Sequence, residues 1–236
     1  MSLRTIIARA GRSVLGDDLY TRLRAGRESE DDFLRRVRGV VHVGANTGQE
    51  AQRYESFGLD VVWIEPIPDV FEKLQQHISA FPRQSAFRYL VTDEEDKEYD
   101  LHISNNGGAS SSILDFSGHS TMWPDVTYTS TITMKGITLG GVLRRERIDL
   151  GKFDALVLDT QGSELKVLGG SAHLLPNFRF IKVEVPDFES YKGCCRIDEL
   201  AAFMMSKNFR EYSRIPFMHA SNLGTYFDVV YKRQSR

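Results

Sequence analysis

From residue 39 onward the chain alternates short β-branched runs with stretches of helical period, the signature of parallel βαβ units. The apolar runs at residues 40–43, 61–64, 87–91, 155–158 and 180–185 read as buried strands. Thr47 and Glu50 have the spacing of a capping box, Ala51, Tyr54 and Phe57 carry the helix behind it, and Gly58 ends it. Pro68 suits the first turn of a second helix, with Val70, Phe71, Leu74 and Ile78 on its buried side. Leu165, Leu168, Ala172 and Leu175 mark a further helix, as do residues 139–147 and 197–205. Acidic residues 93–96 read as a solvated turn into a strand near 99–103, and the threonine-rich stretch 126–134 has strand character. The extended runs around 212–217 and 226–231 can pair as an antiparallel edge. An N-terminal helical extension at 1–37 followed by one doubly wound domain at 38–236 accounts for this pattern.

Charge and cysteine content narrow the function. Thirty basic against 32 acidic side chains leave a net charge of -2, which gives no reason to expect a nucleic-acid partner. No apolar run approaches the ~18 residues of a membrane-spanning helix. The two cysteines, Cys194 and Cys195, are adjacent, which suits neither a disulfide framework nor a paired zinc motif, so a reducing, cytoplasmic location is expected. At the N-terminus, Arg4, Arg9 and Arg12 interrupt what would be the core of a secretion signal. On a helix, Leu3, Ile6, Ile7, Ala10 and Val14 share one face and those arginines lie opposite. Such a helix packs on its own domain or on a sister subunit of a homodimer, or else lies as a basic amphipathic segment on an anionic membrane surface.

In an open parallel sheet, ligands bind outside the carboxyl ends of the strands. The first strand runs into Gly44-Ala45-Asn46-Thr47-Gly48, a small-residue turn that lets backbone approach a ligand. The second ends at Glu65, placed to accept hydrogen bonds from both hydroxyls of a ribose. A dinucleotide enzyme would carry glycines where this chain has Asn46 and Gln49. An NAD-dependent dehydrogenase is therefore the weaker reading, and an adenosine ligand without phosphates, as in S-adenosylmethionine, the better one. Residues 104–120 form a polar stretch with Gly107-Gly108 and three successive serines, and the 104–130 loop reads as a lid or as a wall of the acceptor pocket.

Several ordered motifs carry a family resemblance. They are Val41-His42-Val43-Gly44-Ala45-Asn46-Thr47-Gly48-Gln49, Ile64-Glu65-Pro66-Ile67-Pro68, Ala109-Ser110-Ser111-Ser112-Ile113 and Ile137-Thr138-Leu139, followed by the run from Leu158-Asp159-Thr160-Gln161-Gly162-Ser163-Glu164-Leu165 to Gly170. Over roughly residues 38–232 the chain resembles the FkbM family of S-adenosylmethionine-dependent methyltransferases. The resemblance implies an α/β class I methyltransferase fold, Rossmann-like, with a seven-stranded, mostly parallel, doubly wound sheet and an antiparallel last strand. It also implies O-methylation of a small-molecule hydroxyl on a sugar or polyketide.

Residue by residue, the resemblance assigns Gly44, Ala45 and Asn46, with Thr47 beside them, to the turn beneath the cofactor's methionine part. It assigns Glu65 to the ribose, Pro66 and Ile67 to the adenine face, and Thr92 and Asp93 to the adenine edge. Two positions depart from the family pattern: His42 stands where an acid is general, and Gln161 where a glutamate is. His42 reads either as a hydrogen-bonded core residue or as a cofactor contact. Asp159 and Glu184 end neighbouring strands and are the candidate catalytic carboxylates. Asp187 lies close by in sequence, so a carboxylate-bound Mg²⁺ is compatible with the spacing but not demanded by it. The rival from another class is a non-catalytic cofactor-binding module on the same scaffold.

Overall fold

The computed structural model describes residues 32–235, so the helix expected near the N-terminus, with its subunit or membrane contacts, lies outside the described residues. Phe33 and Leu34, at a 3-10 turn over Leu34–Arg36, plug the start of the sheet. Strand β1 (Gly39–Val43) leads to α1 (Ala51–Ser56), β2 (Asp60–Ile64), α2 (Pro68–Ile78) and β3 (Gln84–Phe87). Then come β4 (Leu90–Val91), β5 (Glu98–Ser104), α3 (Gly118–Met122) and β6 (Tyr128–Ile137). The second half runs α4 (Leu139–Arg145), β7 (Ala155–Leu158), α5 (Glu164–Gly170) and β8 (Phe180–Pro186). It closes with α6 (Ile197–Ser206), β9 (Phe209–Ala220) and β10 (Gly224–Arg233).

The main sheet has seven strands in the order β3-β2-β1-β7-β8-β10-β9. Neighbours from β3 to β8 are parallel, and β10, the last in sequence, is antiparallel to both β8 and β9. This is the class I methyltransferase topology, and its strand order reverses between β1 and β7. Successive side chains point to opposite faces of the sheet with period two, and in the central strands both faces are buried. Val41, Val43, Ile64, Leu156, Leu158, Ile181 and Val183 pack with Leu139 and Val142 of α4, Leu168 of α5 and Leu200 of α6. Val40, Val61, Trp63, Val157 and Phe180 face the other way, onto Ala51 and Tyr54 of α1 and Leu74 and Ile78 of α2. Each fully buried aliphatic side chain contributes roughly 1.5–3 kcal/mol, so the two layers hold the strand ends rigidly. No helix among the described residues is long and apolar enough to cross a membrane.

Three local expectations fail. The helix marked by Leu165, Leu168, Ala172 and Leu175 ends at Gly170 and leaves Ala172 in a turn and Leu175 in a 3-10 turn. The run 87–91 is two strands: β3 stays beside β2, whereas Leu90 and Val91 pair with Gly136 and Ile137 of β6 in a second sheet ordered β4-β6-β5. Apolarity marks burial but does not say in which sheet. The capping box at Thr47 and Glu50 does not form, because Glu50 makes no side-chain cap bond and α1 starts only at Ala51. The Asn46 side-chain oxygen instead accepts from Thr47 N at 2.8 Å and Gln49 Nε2 at 2.9 Å. A short amide side chain competes for nearby backbone donors in this way.

Candidate functional site

The carboxyl ends of β1, β2, β7 and β8 surround a cleft of about 1100 Å³, counting its open mouth. At β1 the turn begins with Gly44 at φ +80, and a Cβ there would lie 1.8 Å from the carbonyl oxygen of Asp159. Only glycine lets the ends of β1 and β7 approach so closely. Asn46 follows with φ 45, a left-handed conformation that asparagine tolerates better than most residues.

Glu65, at the end of β2, is buried. Its Oε2 accepts from Asn46 N at 2.8 Å and its Oε1 from Ile67 N at 2.9 Å. Each oxygen has a further lone pair for a ligand hydroxyl. Burial pushes the carboxyl up to about 7, against the pull of the two amides, with a smaller contribution from the charge of Asp159. Pro66, Ile67, Leu90, Val91 and Leu101 continue this side of the cleft as a mostly apolar wall.

Residues 104–113 close over that wall as a hydrogen-bonded plug. Ser110 N donates to Ser104 Oγ at 3.1 Å, Ser104 N to Ser111 Oγ at 3.0 Å, and Asn106 Nδ2 to Ser110 Oγ at 2.9 Å. Gly108 at φ +82 sits so close to Ile67 and Val70 that a Cβ would come within 3.1 Å of both. Beneath the plug, buried His119 bonds Ser110 Oγ at 3.0 Å and stacks on Phe116 with centroids 4.3 Å apart. Burial pushes its imidazole down to about 4, so it is neutral near pH 7.

Asp159 and Glu184 line the same cleft together with Gln161, whose Nε2 donates to Asp159 Oδ1 at 2.5 Å and to Glu184 Oε1 at 3.4 Å. The turn that carries Gln161 is clamped by Glu164. Its Oε1 accepts from Thr160 N at 2.9 Å, and Gly162 N donates to both carboxylate oxygens at 3.1 Å. Glu164 is buried, and burial pushes it up to about 7 as well.

The structure brings His42, Gly44, Ala45, Asn46, Glu65, Pro66, Ile67, Asp159 and Glu184 to one cleft. Thr47, Thr92 and Asp93 are not among the residues lining it. The Thr47 carbonyl accepts from His77 Nδ1 at 2.9 Å. Thr92 is fully buried, and Asp93 pairs with Lys166 at 3.4 Å. Asp187, the further candidate for a metal, accepts from Thr225 N at 2.7 Å. His42 is buried, bonds Tyr54 at 3.2 Å and stacks on Trp63 at 4.9 Å, as the core reading expects, and it also lines the cleft.

Sequence reasoning missed Lys182, Asp228 and Tyr191. Lys182 and Asp228 form an ion pair at 3.5 Å, and the antiparallel register sets Asp228 opposite Glu184. The available signal was charge inside otherwise apolar strands: Phe180-Ile181-Lys182-Val183-Glu184-Val185 puts Lys182 and Glu184 two apart and hence on one face. Tyr191 is buried against the Gln161 side chain and left no local pattern to find.

A carboxyl raised by folding binds its proton more tightly in the native state. The stability it contributes is complete below about 4.5 and is lost as pH rises through about 7. For Glu164 the change is up to ~1.4 kcal/mol per pH unit within that window. Glu164→Gln is therefore expected to gain on the ligand-free parent by roughly 2–3 kcal/mol between about pH 5 and pH 8. Denaturant melts of both proteins across that range measure it, and the constant cost of the amide drops out of the difference. A gap that does not change with pH would show Glu164 ionised throughout.

Residues 42–211 match the family described as the Methyltransferase FkbM domain. Similar solved structures include a Burkholderia thailandensis 1,6-didemethyltoxoflavin-N1-methyltransferase with bound 1,6-didemethyltoxoflavin and S-adenosylhomocysteine. It is 14% identical, with 99% of this chain and 88% of that chain covered and a TM-score of 0.49. Magnesium protoporphyrin IX methyltransferase from Synechocystis PCC 6803, with bound S-adenosylmethionine, is 10% identical, with 98% and 97% covered and a TM-score of 0.45. No curated protein matches.

Proposed function

The chain belongs to the FkbM methyltransferase family, and from that premise we propose that it transfers the methyl group of S-adenosylmethionine to a hydroxyl of a small molecule, a sugar or a polyketide. The observation that carries the reading is that one cleft gathers Gly44 and Glu65 with the carboxylates Asp159 and Glu184. The residues fit the cofactor. Glu65 keeps lone pairs for two ribose hydroxyls, and Ile67, Leu90 and Leu101 offer an apolar slot for a flat base.

When bound, S-adenosylmethionine supplies an electrophilic methyl group on a sulfonium, whose C–S electron pair stays with sulfur as the acceptor oxygen forms the C–O bond. The protein's task is to hold the acceptor oxygen in line and receive its proton. Asp159 and Glu184 are acceptor-only groups when ionised, so either can orient the hydroxyl and take the proton. Positioning is worth ~7–11 kcal/mol of such a barrier, against roughly 3–5 for a base, so a site without a catalytic triad still suffices. A cytoplasmic location agrees with Cys194 and Cys195, which are free and buried.

Release of S-adenosylhomocysteine, measured across sugar, polyketide and peptide acceptors, tests the reading. Turnover with a hydroxyl acceptor is expected. Tight cofactor binding with no turnover on any class would favour a binding module, and NADH displacing the cofactor would favour a dehydrogenase.

A further inference from the structure

The parallel strands of the main sheet begin at the edge opposite the cleft, and β10, which runs against them, ends there. Basic side chains gather along that edge. Arg36 and Arg38 precede β1, Arg179 precedes β8, Arg210 lies at the start of β9, and Lys232 and Arg233 end β10. Backbone contacts join them into one patch. Arg179 Nη1 donates to the Arg36 carbonyl at 2.7 Å, Arg233 N donates to the Arg179 carbonyl at 2.9 Å, and the antiparallel register sets Lys232 opposite Arg210. All but Lys232 are exposed. Asp32, Asp60 and Asp154 lie at the same edge, where Asp32 pairs with Arg36 at 3.1 Å and Asp154 with Arg38 at 2.8 Å. Among the described residues no carboxylate forms an ion pair with Arg179, Arg210, Lys232 or Arg233. The whole chain carries a net charge of -2, so positive charge is concentrated at this edge.

An exposed basic edge attracts polyanions, and two features favour a lipid surface over a nucleic acid. The aromatic rings at the patch are not offered for base stacking. Phe180 is fully buried with the Arg179 guanidinium 5.8 Å from its ring, and the Lys232 ammonium stands 5.8 Å from the ring of Tyr212. The chain also enters at this edge, where Asp32 is hydrogen-bonded to Tyr212. Residues 1–31 precede it in sequence and lie outside the described residues. Their first 27 positions hold six arginines against Asp17 and Asp18, with apolar Leu3, Ile6, Ile7, Ala10 and Val14 at helical spacing, and acidic Glu28, Glu30 and Asp31 follow. Basic charge and apolar side chains together hold a protein on an anionic bilayer, where one signal alone gives only marginal binding. We propose that this edge docks on an anionic lipid surface, with the cleft at the opposite ends of the strands facing away from it. Such docking holds whatever chemistry the cleft performs.

Sedimentation of the full chain with vesicles tests the docking. The parent is expected to bind vesicles of phosphatidylcholine and phosphatidylserine, to bind phosphatidylcholine alone at least about tenfold more weakly, and to be released by raised salt. Each basic residue held near such a surface is worth about fivefold in binding. Arg210→Glu with Lys232→Glu is therefore expected to weaken binding to the anionic vesicles by about 100-fold or more. Arg210→Gln with Lys232→Gln is expected to weaken it by about tenfold or more, and it serves should the reversed pair not fold, which circular dichroism shows. Lys97→Glu with Lys135→Glu changes the same charge on the second sheet, where Lys97 pairs with Glu94, and is expected to alter binding by less than about threefold. Equal binding to neutral vesicles, binding to neither kind, or a folded edge variant that binds like the parent would overturn the proposal. So would a loss in the second-sheet variant as large as in the edge variants, or tighter binding of the parent to a duplex oligonucleotide at the same salt, which would make the partner a nucleic acid.

Discussion

Glu65→Ala is expected to weaken S-adenosylhomocysteine binding by about 100-fold or more while leaving the sheet intact. Two hydrogen bonds from ribose hydroxyls to a carboxylate are worth roughly 1.5–3 kcal/mol each before water compensates, and a hundredfold is ~2.7 kcal/mol. The variant also strips Asn46 N and Ile67 N of their acceptors, which costs stability, so folding is checked first by circular dichroism. Calorimetry then carries a second signature. The carboxyl stands near 7 in the ligand-free protein because it is buried, and hydroxyl donors favour its charged form. Binding should therefore release a proton at pH values somewhat below 7, read as a dependence of the heat on buffer ionisation enthalpy. The parent should show that release and Glu65→Ala should not. Unchanged affinity in a folded variant would place the adenosine elsewhere.

The parts of this architecture that were legible in the sequence are those decided by burial alone. Residues 155–158 are apolar without interruption because β7 lies in mid-sheet between β1 and β8, covered on both faces. Gly44 was readable because the close approach of two backbones admits no other residue there. The internal order of the plug was not legible. Within the polar stretch, Ser110, Ser111 and Ser112 are buried because their hydroxyls and amides satisfy one another and the Gln161 carbonyl. Composition cannot show whether polar groups will find partners in their own segment. The acceptor side was harder still. Asp228 joins Glu184 and Lys182 only through the antiparallel register of β10 on β8, and Tyr191 meets Gln161 across 30 residues of chain. Such pairings depend on where strands are returned to the sheet, which no local pattern records.

That register also determines which carboxylate the chemistry should feel most. Asp159 follows directly on β7, beside the Gly44 turn and within hydrogen-bond distance of the Gln161 amide, so it lies between the cofactor side of the cleft and the Glu184 side. Asp159→Asn keeps the shape and removes the charge. It is expected to lower turnover on the true acceptor by ~100- to 10,000-fold, the range of a lost general base, while S-adenosylhomocysteine affinity changes by less than about threefold. An interaction that matters chiefly in the transition state leaves that split, whereas a residue that only holds the cofactor would lose affinity and turnover together. Glu184→Gln supplies the comparison. If Asp159 takes the proton and Glu184 orients the hydroxyl, the aspartate variant loses turnover and the glutamate variant loses acceptor affinity as well. Normal turnover by both variants would move the catalytic centre away from this pair without touching the assignment of Glu65.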